Sequence, residues 1–166
     1  MDYMQRVGSL LGLRRKDRRR RRRTEASEGI RVLVIDDSLT VVKVLGRMFQ
    51  QNGFESMGAG TAEEGLEIVR ENRPDLIFLD IMLPGMNGFA ALRRLRQDPS
   101  TARIPVIMIS GDEQSMARMV LDRMGADDFM KKPFGRAEVF TRIERLVLDG
   151  RLPPRSAEVR MDMHAG

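Results

Sequence analysis

The sequence predicts an α/β protein built on a doubly wound, five-stranded parallel sheet with helices on both faces. Three observations carry that reading. Short apolar runs alternate with stretches of helical periodicity from Ile30 to about residue 148. Several runs are apolar at every position and not at every second one, as in strands covered on both faces. The alternation of strand and helix is strict, which implies right-handed crossovers and a ligand crevice at the carboxyl ends of the strands.

The first strand is expected near 31–35, in Arg31-Val-Leu-Val-Ile35. A helix near 38–51 follows, started by Ser38 and spaced by Val41, Val44, Leu45, Met48 and Phe49, with Gly53 where it should stop. A strand near 54–58 precedes a helix near 61–71, where Thr61 and Glu64 form a capping box. The run Leu76-Ile-Phe-Leu79 predicts the third strand, and Asn87 opens a helix near 87–97. Strands near 105–109 and 127–130 flank a helical stretch near 113–123, with Gly125 between them. The last helix is expected near 135–147, on Val139, Ile143, Leu146 and Val147, ending before Gly150.

Composition narrows the chemistry. The 166 residues, 42% of them apolar, suffice for one core with tails. Without cysteine, disulfide frameworks, thiolate zinc sites and cysteine nucleophiles are excluded. The single histidine, His164, lies near the end, so a histidine base or multi-histidine metal site is not expected. The thirteen methionines read as gap-fillers of helices and core. No apolar stretch approaches the roughly 20 residues that span a bilayer, so a cytoplasmic protein is expected.

The net charge of +5 is unevenly spread. Residues 1–29 hold ten basic and four acidic side chains, leaving 19 basic and 20 acidic for residues 30–166. The high pI therefore belongs to the extension, and the domain has no charge excess of the kind nucleic-acid binders carry. Three regions result: a disordered, Arg-rich extension over 1–29, a globular domain over 30–148, and a flexible tail over 149–166. The block Arg14–Arg23 cannot bury its like charges. Tyr3, Met4, Val7, Leu10 and Leu11 share one helical face beside it, so the extension is a candidate for contact with an anionic membrane or a cell pole, or for non-specific contact with nucleic acid. Gly8 and Gly12 weaken that helix, and a solvated or partner-binding tail is the competing reading.

The chemistry gathers at strand ends. Asp36 and Asp37 follow the first strand and Asp80 follows the third, so three carboxylates share one rim. Charges held that close repel one another unless a cation offsets them, which predicts a metal site. Ser110 follows the fourth strand and Lys132 the fifth, adding a hydroxyl and an ammonium. A divalent cation, a carboxylate, a hydroxyl and a fixed positive charge together suit a phosphoryl group. Taken singly, the aspartates could be turn or capping residues, Ser110 a helix cap and Lys132 a surface lysine.

Asp36-Asp37, Asp80 with Pro84 and Gly88 after it, Ser110 and Lys132-Pro133 together resemble the receiver domain of two-component response regulators, over roughly residues 30–148. The resemblance implies a flavodoxin-like sheet of order 2-1-3-4-5. It implies that Asp80 is the phosphoacceptor for a phosphohistidine on a histidine kinase or phosphotransfer protein. It implies Mg²⁺ held by Asp37, Asp80 and the backbone carbonyl of Met82, with Asp36 acting through a coordinated water. Ser110 and Lys132 are then phosphoryl-oxygen partners, the Lys132-Pro133 bond is cis, and Ser110 and Phe129 form the switch. Output is expected through the fourth and fifth helices to a protein effector. Asp36-Asp-Ser-Leu-Thr40 and Phe78-Leu-Asp-Ile-Met-Leu-Pro84 look like the single-domain regulators of chemotaxis-like and type IV pilus systems.

Some positions depart from the commonest pattern. Phe129 replaces a frequent tyrosine, so an inward state gains no phenol hydrogen bond. Met82 and Asp112 stand where side chains bear on hydrolytic water. Phe129 is equally readable as plain core, and Lys131 as a solvated neighbour of Lys132. A competing class, an aspartyl-phosphate phosphohydrolase of the haloacid-dehalogenase type, places a second aspartate two positions after its nucleophile, where this chain has Met82. A Rossmann nucleotide domain would need a glycine-rich turn where Asp36-Asp37-Ser38 stands. A receiver-like scaffold that is never phosphorylated is the remaining alternative.

Overall fold

The computed structural model describes residues 29–111, 119 and 121–153. Five strands, β1 (Arg31–Ile35), β2 (Glu55–Ala59), β3 (Leu76–Asp80), β4 (Val106–Ser110) and β5 (Asp128–Lys131), form one sheet. Its order is β2-β1-β3-β4-β5 and every described pair is parallel. The helices that lie wholly among the described residues are α1 (Leu39–Gln50), α2 (Ala62–Asn72), α3 (Gly88–Gln97) and α4 (Arg136–Leu148). The stretch expected to be helical near 113–123 lies mostly outside the described residues; at its end the Arg123 amide donates to the Met119 carbonyl at 3.0 Å, one helical turn.

The caps follow the sequence. Ser38 Oγ accepts from the Val41 amide at 3.4 Å, Thr61 Oγ1 from Glu64 at 3.2 Å and Asn87 Oδ1 from Ala90 at 2.9 Å. The capping box is shifted by one residue, because Glu64 Oε2 reaches the Gly60 amide at 2.9 Å. Helix α2 ends on Arg73 in the left-handed region, a place more often filled by glycine.

The sheet divides the core into two apolar layers because alternate strand residues face opposite sides. Leu33, Ile35, Ile77, Leu79, Val106, Met108 and Phe129 pack beneath α2 and α3. Val32, Val34, Phe78, Ile107, Ile109 and Met130 pack beneath α1 and α4, where Phe49 meets Phe78 at 5.2 Å between ring centroids. The central strands β3 and β4 are buried along their whole length. Their carboxyl ends are thereby fixed by the core, and polar residues at those ends inherit that rigidity.

Beyond α4, Leu152 is buried in the α1/α4 layer, and Arg151 Nε lies 2.7 Å from Asp127 Oδ1. The chain up to Leu152 is thus tied to the amino end of β5. No helix among the described residues is long and apolar enough to cross a membrane. Arg14–Arg23 and the amphipathic residues before it lie outside the described residues, as do Asp112 and His164.

Candidate functional site

Strand β1 delivers Asp36 and Asp37 to the rim, β3 delivers Asp80, β4 delivers Ser110, and the turn after β5 delivers Lys132. Carboxylate oxygens of Asp36, Asp37 and Asp80 lie within 4.8 Å of one another. Asp36 and Asp80 are buried, whereas Asp37 is exposed. Lys132 Nζ stands 2.6 Å from Asp36 Oδ2 and 3.2 Å from Asp80 Oδ2. The Lys132-Pro133 peptide bond is cis.

Backbone amides orient the acids. Ser38 N donates to Asp36 Oδ1 at 2.8 Å and Met82 N to Asp80 Oδ1 at 3.2 Å. Each bond spans two residues, the local geometry aspartate favours at turns. Gly88 keeps the start of α3 against the end of β3: a Cβ there would overlap the Asp80 carbonyl oxygen and lie 2.8 Å from Ile81 Cα.

Burial pushes the Asp80 carboxyl above its ordinary range, and the neighbouring Asp36 charge adds to that shift against the opposing pull of Lys132. For Lys132, burial alone would lower the pKa, but close contact with Asp36 and the charge of Asp80 outweigh it and hold the ammonium more firmly protonated. One lysine does not satisfy the acids. Asp36 Oδ2 is buried and its close partner among the described residues is Nζ, in an ion pair that the lysine shares with Asp80. Three hard carboxylate groups held within 4.8 Å of one another and offset by a single ammonium fit a divalent cation such as Mg²⁺, which prefers oxygen ligands.

Ser110 is fully buried, and its carbonyl accepts from the Lys132 amide at 2.8 Å, joining the β4 and β5 ends of the site. Phe129 lies in register with Met108, itself opposite Leu79, and is buried in the α2/α3 layer. Asp36, Asp37, Asp80, Ser110 and Lys132, the residues expected at the rim from sequence, stand there, and Phe129, read as switch or core, is buried in the layer beneath. Met82 contributes a backbone contact to Asp80, and the residue is 65% exposed. Sequence reading missed Glu63, whose Oε1 accepts from the Met86 amide at 3.2 Å and ties α2 to the loop after Asp80. No spacing marks that contact, since it joins residues brought together only by the fold.

This geometry has known counterparts. Residues 32–144 match the response regulator receiver domain, and the chain belongs to that family. It is 36% identical over 103 residues to Protein PilH of Pseudomonas aeruginosa, an alignment covering 62% of this chain and 85% of PilH. It is 30% identical over 136 residues to the alkaline phosphatase synthesis transcriptional regulatory protein PhoP of Bacillus subtilis, covering 82% of this chain but 56% of PhoP. Among solved structures, the receiver domain of Francisella response regulator 1452 superposes with a TM-score of 0.66 at 29% identity, covering 74% of this chain and 99% of that one. The protein is accordingly a receiver of two-component signal transduction, a signalling switch.

Proposed function

We propose that Asp80 is the phosphoacceptor of this receiver and that the phosphoryl donor is a phosphohistidine on a histidine kinase or phosphotransfer protein. The observation that carries the reading is the contact between Lys132 Nζ and Asp80 Oδ2, 3.2 Å, inside a cluster of three carboxylates. An Asp80 carboxylate oxygen attacks the phosphorus; the new O–P bond forms as the P–N bond to the donor histidine breaks, and the electron pair leaves on the imidazole nitrogen. Lys132 then pairs with a phosphoryl oxygen, and the Ser110 hydroxyl donates to another. Asp36, Asp37, Asp80 and the Met82 carbonyl would hold Mg²⁺, which when bound neutralises phosphoryl oxygens.

The phosphoryl group adds about two negative charges at the rim. Lys132 leaves its present partners to meet them, and Ser110 and Phe129, on adjacent strands, carry the rearrangement to the chain before β5 and, across the β5 edge, to α4. A protein effector reads that face. Chemotaxis-like control, including that of type IV pili, is the setting favoured by the Asp36–Thr40 and Phe78–Pro84 segments. The switch requires the effector-competent state to be favoured by several kcal/mol on phosphorylation, and about 5.5 kcal/mol moves a population from 1:99 to 99:1.

The test is intact mass after incubation with a small phosphoryl donor, with and without Mg²⁺, beside Asp80→Asn. One added phosphoryl group that needs Mg²⁺ and is absent from the variant supports the assignment. Labelling that persists in Asp80→Asn overturns it. No labelling, together with no binding of beryllofluoride, favours an unphosphorylated scaffold.

A further inference from the structure

We propose that a cleft between α3 and the chain leading into β5 is a second binding site, for a nucleotide-like ligand that carries a phosphate on a flat aromatic body. The cleft has a volume of about 400 Å³ and is lined by Arg93, Arg96, Gln97, Met119, Arg123 and Met124. That is the size of a small-molecule site, roughly 300–1,000 Å³. It is too small for an α-helix, whose diameter with side chains is about 10–12 Å.

The cleft sits at the opposite edge of the sheet from the acidic rim. Arg96 forms its floor and is wholly committed to the fold: Nε donates to the Gly125 carbonyl at 2.7 Å, Nη1 to Ala102 and Ile104 at 3.2 and 2.9 Å, and Nη2 to Asp127 Oδ2 at 3.0 Å. These acceptors adjoin the amino ends of β4 and β5. A strand of four or five residues, on the order of 15 Å, separates the cleft from the carboxylates at the other end, so an anion there escapes their repulsion. Asp127, the acid nearest the floor, is already offset by Arg96 and Arg151.

The walls differ from the floor. Arg93 and Arg123 come from separate elements and are exposed, and their guanidinium groups make no hydrogen bond or ion pair among the described residues. Two uncommitted guanidinium groups facing one cleft suit a phosphate, which they can grip in bidentate fashion, and guanidinium planes also stack on aromatic rings. Met119, 39% exposed, and the half-buried Met124 supply the apolar part. Thioethers adapt to irregular shapes and favour contact with ring edges. Gln97 adds a donor and an acceptor for the edge of a base. Phosphate alone would leave the methionines without a role, and an uncharged ring would do the same to the arginines.

The site is independent of the phosphoacceptor reading and is tested separately. The 166-residue protein, labelled with ¹³C at its methionine methyls, is titrated with AMP, with adenosine, with inorganic phosphate and with an acidic, apolar peptide, and binding is followed by NMR. AMP is expected to shift the Met119 and Met124 methyls and saturate with a dissociation constant below about 1 mM, at least about tenfold tighter than adenosine or phosphate. Arg93→Gln with Arg123→Gln should weaken AMP by about tenfold or more while thermal melting and Asp80 labelling stay unchanged. The proposal fails if AMP does not saturate these methyls, if inorganic phosphate or the peptide binds as well as AMP does, or if the double variant retains full affinity.

Discussion

Lys132 and Asp36 form a 2.6 Å ion pair across the rim of the sheet, and the aspartate's side chain is fully buried. The lysine is therefore a resident counter-ion as well as a candidate phosphoryl partner. It partly offsets the charge that would otherwise keep three acids apart.

Removing that ammonium should expose the cost. Lys132→Ala is expected to destabilise the metal-free protein by about 1–3 kcal/mol, less than for a wholly buried pair because the lysine remains partly solvated. Urea melts with and without Mg²⁺ check this, and the deficit should shrink when the metal is added. Under the phosphoacceptor reading, the variant is still labelled on Asp80 but loses its effector response; a full response would refute the role given to Lys132.

Asp80→Asn should act in the opposite direction on the metal-free fold. Burial and Asp36 make the Asp80 carboxylate costly, so its folded pKa is raised and the folded chain holds that proton more tightly than the unfolded chain. The favourable contribution is complete below the ordinary carboxyl pKa and is lost as pH rises through the raised value. At neutral pH the variant is expected to melt roughly 3–5 °C higher than the parent without metal. The difference should narrow as pH falls toward 3.8, the ordinary value, and calorimetry across that range measures it.

Arg96 anchors a junction far from the rim. Its guanidinium serves three carbonyls and Asp127, while Asp127 also accepts from the Val106 amide at 2.9 Å and meets Arg151. Arg96→Ala leaves these acceptors partly unpaired and should cost about 2–4 kcal/mol. Arg96→Lys should recover little of it, since a point charge cannot reproduce the planar fork. Chemical denaturation of both variants provides the comparison.

Gly88 and Gly60 make a matched pair. A Cβ at Gly88 overlaps the Asp80 backbone, which cannot yield without moving the end of β3 or the start of α3, so Gly88→Ala should cost about 1–3 kcal/mol and slow labelling of Asp80. A Cβ at Gly60 meets nothing within 4 Å, and Gly60→Ala should stay within about 0.5 kcal/mol of the parent. Equal effects of the two substitutions would remove the steric argument.

Much of this protein was determined by its sequence alone. Continuous apolar runs ending at Asp36, Asp80 and Ser110 located strands and rim together, because a buried parallel strand needs apolar residues on both faces and turns polar where it leaves the core. Ser38, Thr61 and Asn87 marked helix starts through bonds that reach only three residues along the chain. Tertiary structure alone decided the rest. The commitment of Lys132 to Asp36, the reach of Glu63 to Met86 and the Arg96–Asp127–Arg151 junction join residues far apart in the chain. Such contacts leave no periodicity in a sequence, since their partners are chosen by where the sheet and its crossovers place them. Leu152, which sequence put in a tail, is drawn into the core for the same reason. Its apolar neighbours exist only once α1, α4 and the sheet have assembled.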